Sequence, residues 1–380
     1  MEFNGRPSSI ESAVHFMMPA FAGRRNRCRI LGLGASGKAA AELALARGAS
    51  VLAIDRNENL LPLEVDPLFQ KYTRLRTVLA PSGADFLKDA DRVVVSPGVP
   101  LETYGLAGLL ESGKEVMSEL DFAAEVLHKE TAVLAISGTN GKSTVTSYAS
   151  QLLQHSGIKA FVGGNFGNPL SKAALQCMGS GESQFQVAVV EVSSYQLEIP
   201  NKYLHPSVAV ILNLTPDHLE RHKTMWNYAY TKCRLFCHMT DCDLAVLPAD
   251  FATTSTSTRH RPRMVMDKKV AYIELPTTGL SAELKLDSLN TVGNHNFQNA
   301  AVATFCVLGL NMGIEVNSIN EAIGKLSPLP HRMQIVPTLT AAAATTVAVA
   351  TTTAAAALAA PPLSPHRDRD HRRCRRTVAA

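Results

Sequence analysis

The stretch Gly138-Thr139-Asn140-Gly141-Lys142-Ser143-Thr144 constrains this chain more than any other feature. It lies between an apolar run, Ala132–Ile136, and a helical pattern. A glycine-rich turn that ends a buried strand and opens a helix aims several backbone N–H groups at one point, where phosphate oxygens are attracted. In such loops the lysine reaches the terminal phosphates and a hydroxyl side chain ligates Mg2+. The loop is shorter than the G-x4-G-K-[ST] form, and the bland alternative is a glycine turn that happens to contain a lysine. The strand before it and the helix after it favour the phosphate reading, which requires a parallel sheet with crossover helices.

The rest of the chain supplies such a sheet twice. Val187–Val190, Val208–Leu212 and Leu244–Leu247 read as buried strands with helical patterns between them, and Asn294–Leu308 as a further helix. Upstream, Arg29–Leu31 leads into Gly32, Ala39–Arg47 reads as a helix, and Ser50–Ile54 and Val93–Val95 as strands, the last closed by the Ser96-Pro97-Gly98 turn. The fold class is α/β. A Rossmann-like N-terminal domain is expected over 27–128 and a P-loop-type, parallel-sheet ATPase central domain over 129–328. Residues 329–336 are a short stub of a further domain, followed by a low-complexity tail over 337–380. Residues 340–360 are Ala and Thr apart from Val347, Val349 and Leu358. No core-forming face exists there, so a disordered C-terminal tail is expected.

With 380 residues, 46% of them hydrophobic, the chain can bury more than one core. The net charge of +4 belongs to the tail: six arginines between Arg367 and Arg376 face Asp368 and Asp370. Residues 1–336 are therefore balanced, which argues against a nucleic-acid-binding body. Seven scattered cysteines fit a reducing compartment rather than a disulfide framework. Cys233, Cys237, His238 and Cys242 lack the paired spacing of a zinc knuckle and read as reduced side chains. No stretch has the pattern of a secretory signal or a membrane span, and residues 1–29, rich in Arg and Ser, are weakly compatible with a transit peptide.

Two positions extend the phosphate-loop reading. Glu191 ends the strand Val187–Val190, where a carboxylate can ligate the cation of a nucleotide site. His218, after Asn213-Leu214-Thr215-Pro216-Asp217, reads as a metal ligand or as a satisfied surface histidine. The pattern Gly32-x-Gly34-x-x-Gly37, with Asp55 eighteen residues on, ordinarily suggests NAD.

These pieces in this order resemble the Mur ligases and their folate-ligase relatives. Four stretches point to the D-glutamate-adding branch: Val162–Gly167 (VGGNFG), Glu191–Glu198 (EVSSYQLE), Gly293–Ala300 (GNHNFQNA) and Leu329–Arg332 (LPHR). The resemblance covers residues 27–336. It implies an ATP-dependent acid–amino-acid ligase of peptidoglycan precursor synthesis that adds D-glutamate to UDP-N-acetylmuramoyl-L-alanine through an acyl phosphate, with ATP and two Mg2+ ions as cofactors. It assigns ATP binding to Gly138, Thr139, Asn140, Gly141, Lys142, Ser143, Thr144, Asn296, Asn299 and Arg332. Lys142, Glu191, His218 and Lys232 take catalytic roles. The metal ligands are Ser143, Glu191, His218 and Lys232, the last as a carbamate. Gly34, Ala35, Ser36, Asp55, Ser96, Pro97, Gly98, Asn165, Ser193 and Gln196 bind the UDP substrate, so the first glycine loop holds a UDP end rather than NAD.

The resemblance further implies small-molecule partners, no nucleic acid or membrane, a monomer, and a cytoplasmic location, or a plastid stroma if residues 1–29 belong to a transit peptide. Members of the family continue past the Leu-Pro-His-Arg stretch into a third domain that binds D-glutamate. Here Val336 gives way to the Ala/Thr run, as after a frameshift, a mis-splice or a true truncation. Ligation is accordingly expected to be impaired in the chain as written, and a non-catalytic remnant that binds ATP and a UDP-sugar is the alternative.

Overall fold

The computed structural model describes residues 26–81, 83–180, 184–248, 262–276, 278–329, 335–337 and 347–349. In the first part of the chain, β1 (Arg27–Leu31), β2 (Ser50–Asp55), β3 (Leu75–Leu79), β4 (Arg92–Val95) and β5 (Glu115–Ser118) form a parallel sheet in the order β3-β2-β1-β4-β5. The connecting helices are α1 (Ala35–Ala46), α2 (Leu106–Glu111) and α3 (Glu119–Ala124). The strand order reverses between β1 and β4, and such a reversal opens a crevice at the carboxyl ends of the strands. Helix α1 starts four residues before the alanine run that marks it in sequence. Gly37 permits this early start: a Cβ there would sit 1.7 Å from the carbonyl oxygen of Gly32.

The second sheet contains β6 (Ala132–Ser137), β7 (Ala160–Gly164), β8 (Val187–Glu191), β9 (Val208–Ile211) and β10 (Leu244–Val246), all parallel, in the order β10-β9-β6-β8-β7. Strand β8, Val-Ala-Val-Val-Glu, is buried along its whole length, as a central strand covered on both faces must be. The helices here are α4 (Lys142–His155), α5 (Leu170–Ser180), the one-turn α6 (Leu219–His222) and α7 (Met225–Cys233). An antiparallel sheet of β11 (Arg263–Asp267), β12 (Val270–Leu275) and β13 (Leu280–Lys285) follows, then α8 (Asn294–Gly309) and α9 (Val316–Ile323).

Successive residues of a strand face opposite sides, and the cores divide accordingly. Val133 and Ala135 of β6 join a cluster shared with Cys28 and Ile30 of β1 and with α1, α3 and α5. Leu134 and Ile136 face a second cluster formed with α4, α8, α9 and the antiparallel strands. The two parallel sheets thus share one apolar layer. Helix α3 adds polar joints across it. Buried Glu119 accepts the Ser171 N–H at the start of α5 at 2.7 Å, and Asp121 accepts the N–H groups of Lys202, Tyr203 and Leu204 at 2.7–3.0 Å. Burial pushes the Glu119 carboxyl up to about 7, against the Ser171 hydrogen bonds that lower it.

Residues 335–380 separate as a second unit, in which β14 (Ile335–Pro337) pairs antiparallel with β15 (Val347–Val349). The rest of the tail expected to be disordered lies outside the described residues, as do Arg332 and residues 1–25. Among the described residues no helix is long and apolar enough to cross a membrane.

Candidate active site

At the carboxyl ends of β1 and β4 lies a cavity of about 530 Å³, where the strand order reverses. Gly34, Ala35 and Ser36 at the start of α1, Asp55 at the end of β2, and Ser96, Pro97 and Gly98 after β4 all line it, together with Asn165. These are eight of the ten residues assigned to a UDP compound. The free N–H groups of the first turn of α1 give this wall an anion-attracting character. Ser96 Oγ donates to the Gly32 carbonyl at 2.8 Å and ties the two loops together. Asp55 accepts the N–H groups of Leu33 (2.6 Å) and Asn57 (2.9 Å), so its carboxylate braces the glycine loop from within. The other two assigned residues do not reach this wall. Gln196 is buried, and its Oε1 accepts from the backbone N–H and hydroxyl of Ser193.

The second glycine loop joins β6 to α4. Gly141, at φ +86°, holds a left-handed turn that a side chain resists, and a Cβ there would lie 2.8 Å from Asn299 Oδ1 of α8. The loop is clamped to the segment after β9. Asn140 N donates to Asn213 Oδ1 (2.9 Å), Asn213 Nδ2 donates back to the Asn140 carbonyl (3.0 Å), and Thr139 Oγ1 accepts Thr215 N–H (3.1 Å). The Tyr228 hydroxyl shares a hydrogen bond with Thr139 Oγ1 at 3.1 Å. Ser143 and Thr144 are buried in the first turn of α4. Asn299 reaches the loop, whereas the buried Asn296 donates its amide to the Val292 carbonyl at 2.8 Å.

Two lysines converge on one acceptor. Lys142 Nζ donates to the carbonyls of Gly138 (2.9 Å) and Thr139 (2.8 Å), and Lys232 Nζ donates to the same Gly138 oxygen at 3.0 Å. Lys232, on α7, is 1% exposed. Burial first, and the Lys142 charge second, lower its pKa to about 7. Glu191 is 2% exposed at the end of β8. Its Oε1 accepts the Asn165 amide at 2.9 Å, and its buried Oε2 has no hydrogen-bond partner among the described residues. A buried carboxylate oxygen of this kind fits a hard, oxygen-seeking cation. Among the described residues no three His, Cys, Asp or Glu side chains converge as a metal site. His218 stands at the edge, left-handed at φ 52°, with Nδ1 3.0 Å from the Tyr195 hydroxyl.

The residue reading passed over Arg56 and Tyr104, which also line the first cavity, with the Arg56 guanidinium 5.4 Å from the Tyr104 ring centroid. Arg56 follows Asp55 at a strand end, a signal that could have revealed it. Tyr104 carried none. Asn213, Thr215 and Tyr228, which hold the phosphate loop, were likewise given no role in that reading. Asn213 lies just past β9, at the same carboxyl edge as the loop.

The sequence is similar to known proteins over most of its length. Residues 136–307 match the family model described as Mur ligase middle domain, and residues 26–118 the one described as Mur ligase MurD-like, N-terminal domain. A UDP-N-acetylmuramoylalanine–D-glutamate ligase of Pelotomaculum thermopropionicum is 33% identical over 327 residues, covering 82% of this chain and 69% of the relative. The enzyme of the same name from Caldanaerobacter subterraneus is 33% identical over 323 residues, with the same shares covered. That from Desulfosudis oleivorans is 36% identical over 326 residues, covering 82% of this chain and 68% of the relative. With both glycine loops, Glu191 and Lys232 standing at the carboxyl edges of two parallel sheets, and with these relatives, the chain belongs to the Mur ligase family.

Proposed function

We propose that this chain is an ATP-dependent ligase of peptidoglycan precursor synthesis that joins the amine of D-glutamate to the alanyl carboxylate of UDP-N-acetylmuramoyl-L-alanine. One observation carries the reading. Asn165 lines the cavity at the first sheet, and its amide is bonded to Glu191 beside the phosphate loop. A ligand whose nucleotide end fills the cavity therefore has its far end directed at the site of phosphoryl transfer.

The N-terminal sheet would hold the UDP end and the central sheet ATP. The alanyl carboxylate takes the terminal phosphoryl group of ATP, and the amine displaces phosphate from the resulting acyl phosphate. Positioning and charge neutralisation do most of the work in phosphoryl transfer. Lys142, held over the loop by two carbonyls, is placed to turn toward a terminal phosphate. Ser143, Glu191, His218 and Lys232, the last as a carbamate, would hold two Mg2+ ions, which when bound would neutralise the phosphate oxygens. Asn299 would contact the nucleotide, the buried Asn296 would shape its pocket, and the protein would act as a cytoplasmic monomer.

Titration calorimetry on the full chain tests this proposal. UDP-N-acetylmuramoyl-L-alanine and Mg2+ with the ATP analogue AMP-PNP are each expected to give a saturable isotherm. A chain that binds neither would overturn the reading.

A further inference from the structure

The turn after β8 is gripped by two arginines from neighbouring helices. It runs from Glu191 through a single 3-10 turn, Tyr195–Leu197, to Glu198. From α6, Arg221 Nε donates to Glu198 Oε1 at 2.7 Å and Nη2 to Glu198 Oε2 at 2.5 Å. From the end of α7, Arg234 donates to the carbonyls of Leu197, at 3.0 Å, and Glu198. The Tyr195 ring lies 4.3 Å beneath the Arg221 guanidinium, and its hydroxyl meets His218 Nδ1. The turn therefore links the end of β8 at Glu191 to His218 and to the end of α7.

Arg221 also reaches the other site. Its Nη1 donates to the Pro97 carbonyl at 3.3 Å and its Nη2 to the Val99 carbonyl at 3.0 Å, in the loop that lines the first cavity. Both Arg221 and Glu198 are largely buried, with side chains 15% and 12% exposed. A buried ion pair adds little net stability over an apolar pair of the same volume, so stability alone does not explain this one. What the planar guanidinium supplies is direction, because it presents its donors in a fixed fork. The helix that carries Arg221 is one turn long and bounded by left-handed His218 (φ 52°) and Lys223 (φ 68°). Such backbone persists only where tertiary contacts over-determine it, and the contacts of Arg221 do so here.

We infer that Arg221 and Glu198 are positioning residues that couple the two sites, so that a UDP compound and a magnesium nucleotide each bind more tightly when the other is present. A ligand seated against Pro97 and Gly98 fixes the carbonyls that hold Arg221, and Arg221 fixes the Glu198 turn and the His218 corner beside the phosphate loop. The inference rests on the reading of the first cavity as a UDP site and of the loop as an ATP site.

The test is calorimetric titration of UDP into the full chain, with and without saturating Mg2+ and AMP-PNP. UDP serves as the probe because it lacks the alanyl carboxylate, which would touch the nucleotide directly and create coupling of its own. In the wild type the Kd for UDP is expected to fall at least about 5-fold when the nucleotide is present, within the usual range of coupling between sites. The paired variant Arg221→Met with Glu198→Leu removes both charges and strands neither. It is expected to bring that ratio within about 2-fold of unity and to leave the Kd for AMP-PNP alone within about 3-fold of wild type. Should the pair fail to show a cooperative melt, Arg221→Lys is measured instead and judged by the same ratio. Undiminished coupling in the variant, or its absence from the wild type, overturns the inference. A wild type that binds neither UDP nor AMP-PNP overturns the assignment of the sites and the inference with it.

Discussion

Two lysine amines share the Gly138 carbonyl, and like charges repel most strongly where water is scarce, so burial and the repulsion from Lys142 together lower the Lys232 pKa to about 7. A carbamate on Lys232 would convert this repulsion into attraction and supply the oxygen donors that Glu191 alone cannot. Lys232→Ala is accordingly expected to weaken binding of Mg2+ with AMP-PNP by roughly 10-fold or more, the scale of losing an orienting group at a metal site. Acetate, small enough to occupy the vacated position, should recover part of the loss. Unaltered affinity in a calorimetric titration would exclude the role. The place of Lys232 was not legible from Tyr230-Thr231-Lys232 as a pattern, since a lysine on an amphipathic helix is ordinarily solvated. Only the family resemblance singled it out, and its burial became visible once α7 was seen packed against the end of β6. Lys142, by contrast, was legible directly, because its loop carries its chemistry in the sequence.

Among the elements, glycine positions fix what the larger side chains cannot. The Gly37 Cα faces the Gly32 carbonyl so closely that Gly37→Ala must shift either α1 or the end of β1. Overpacking of this kind costs about 1–3 kcal/mol, to be read as a lowered melting temperature and as weaker UDP binding at the displaced loop. A variant with both quantities unchanged would show that the close approach is not needed. The strands that were legible are β2, β4, β6, β8, β9 and β10, which are largely apolar runs, and β1, which carries Arg27 and Arg29 but is marked by the glycine loop that follows it. Those that were not depart from that pattern for separate reasons. Strand β7 ends in Gly163-Gly164 and reads as a loop, β3 sets Arg76 and Thr77 between its apolar residues, and β5 is four residues long and opens on Glu115. The antiparallel strands β11, β12 and β13 bury one face and mix Arg, Asp, Glu and Lys into the other, so no unbroken apolar run marks them.

Across the whole molecule, the shared apolar layer and the carboxylates of α3 join the two parallel sheets. Glu119 is fully buried, and its folded pKa of about 7 lies above the ordinary 4.5. A carboxyl raised in this way contributes stability that is fully present below pH about 4.5 and is lost as pH rises through 7. Glu119→Gln, which keeps an acceptor for Ser171 N–H without an ionisable proton, should flatten that slope. Urea denaturation at pH 5 and pH 8 is expected to show the wild type losing up to roughly 3 kcal/mol relative to the variant across that span. Parallel stability curves for the two proteins would refute it. The same joints bear on synthesis. Glu119 waits for a donor 52 residues further along the chain, and Asp121 for donors 81 to 83 residues further. At the pace of a ribosome that interval is on the order of ten seconds. Until Leu204 has left the exit tunnel, the nascent first sheet can close α3 only over carboxylates that still need water, so the N-terminal sheet completes its folding on residues of the sheet translated after it.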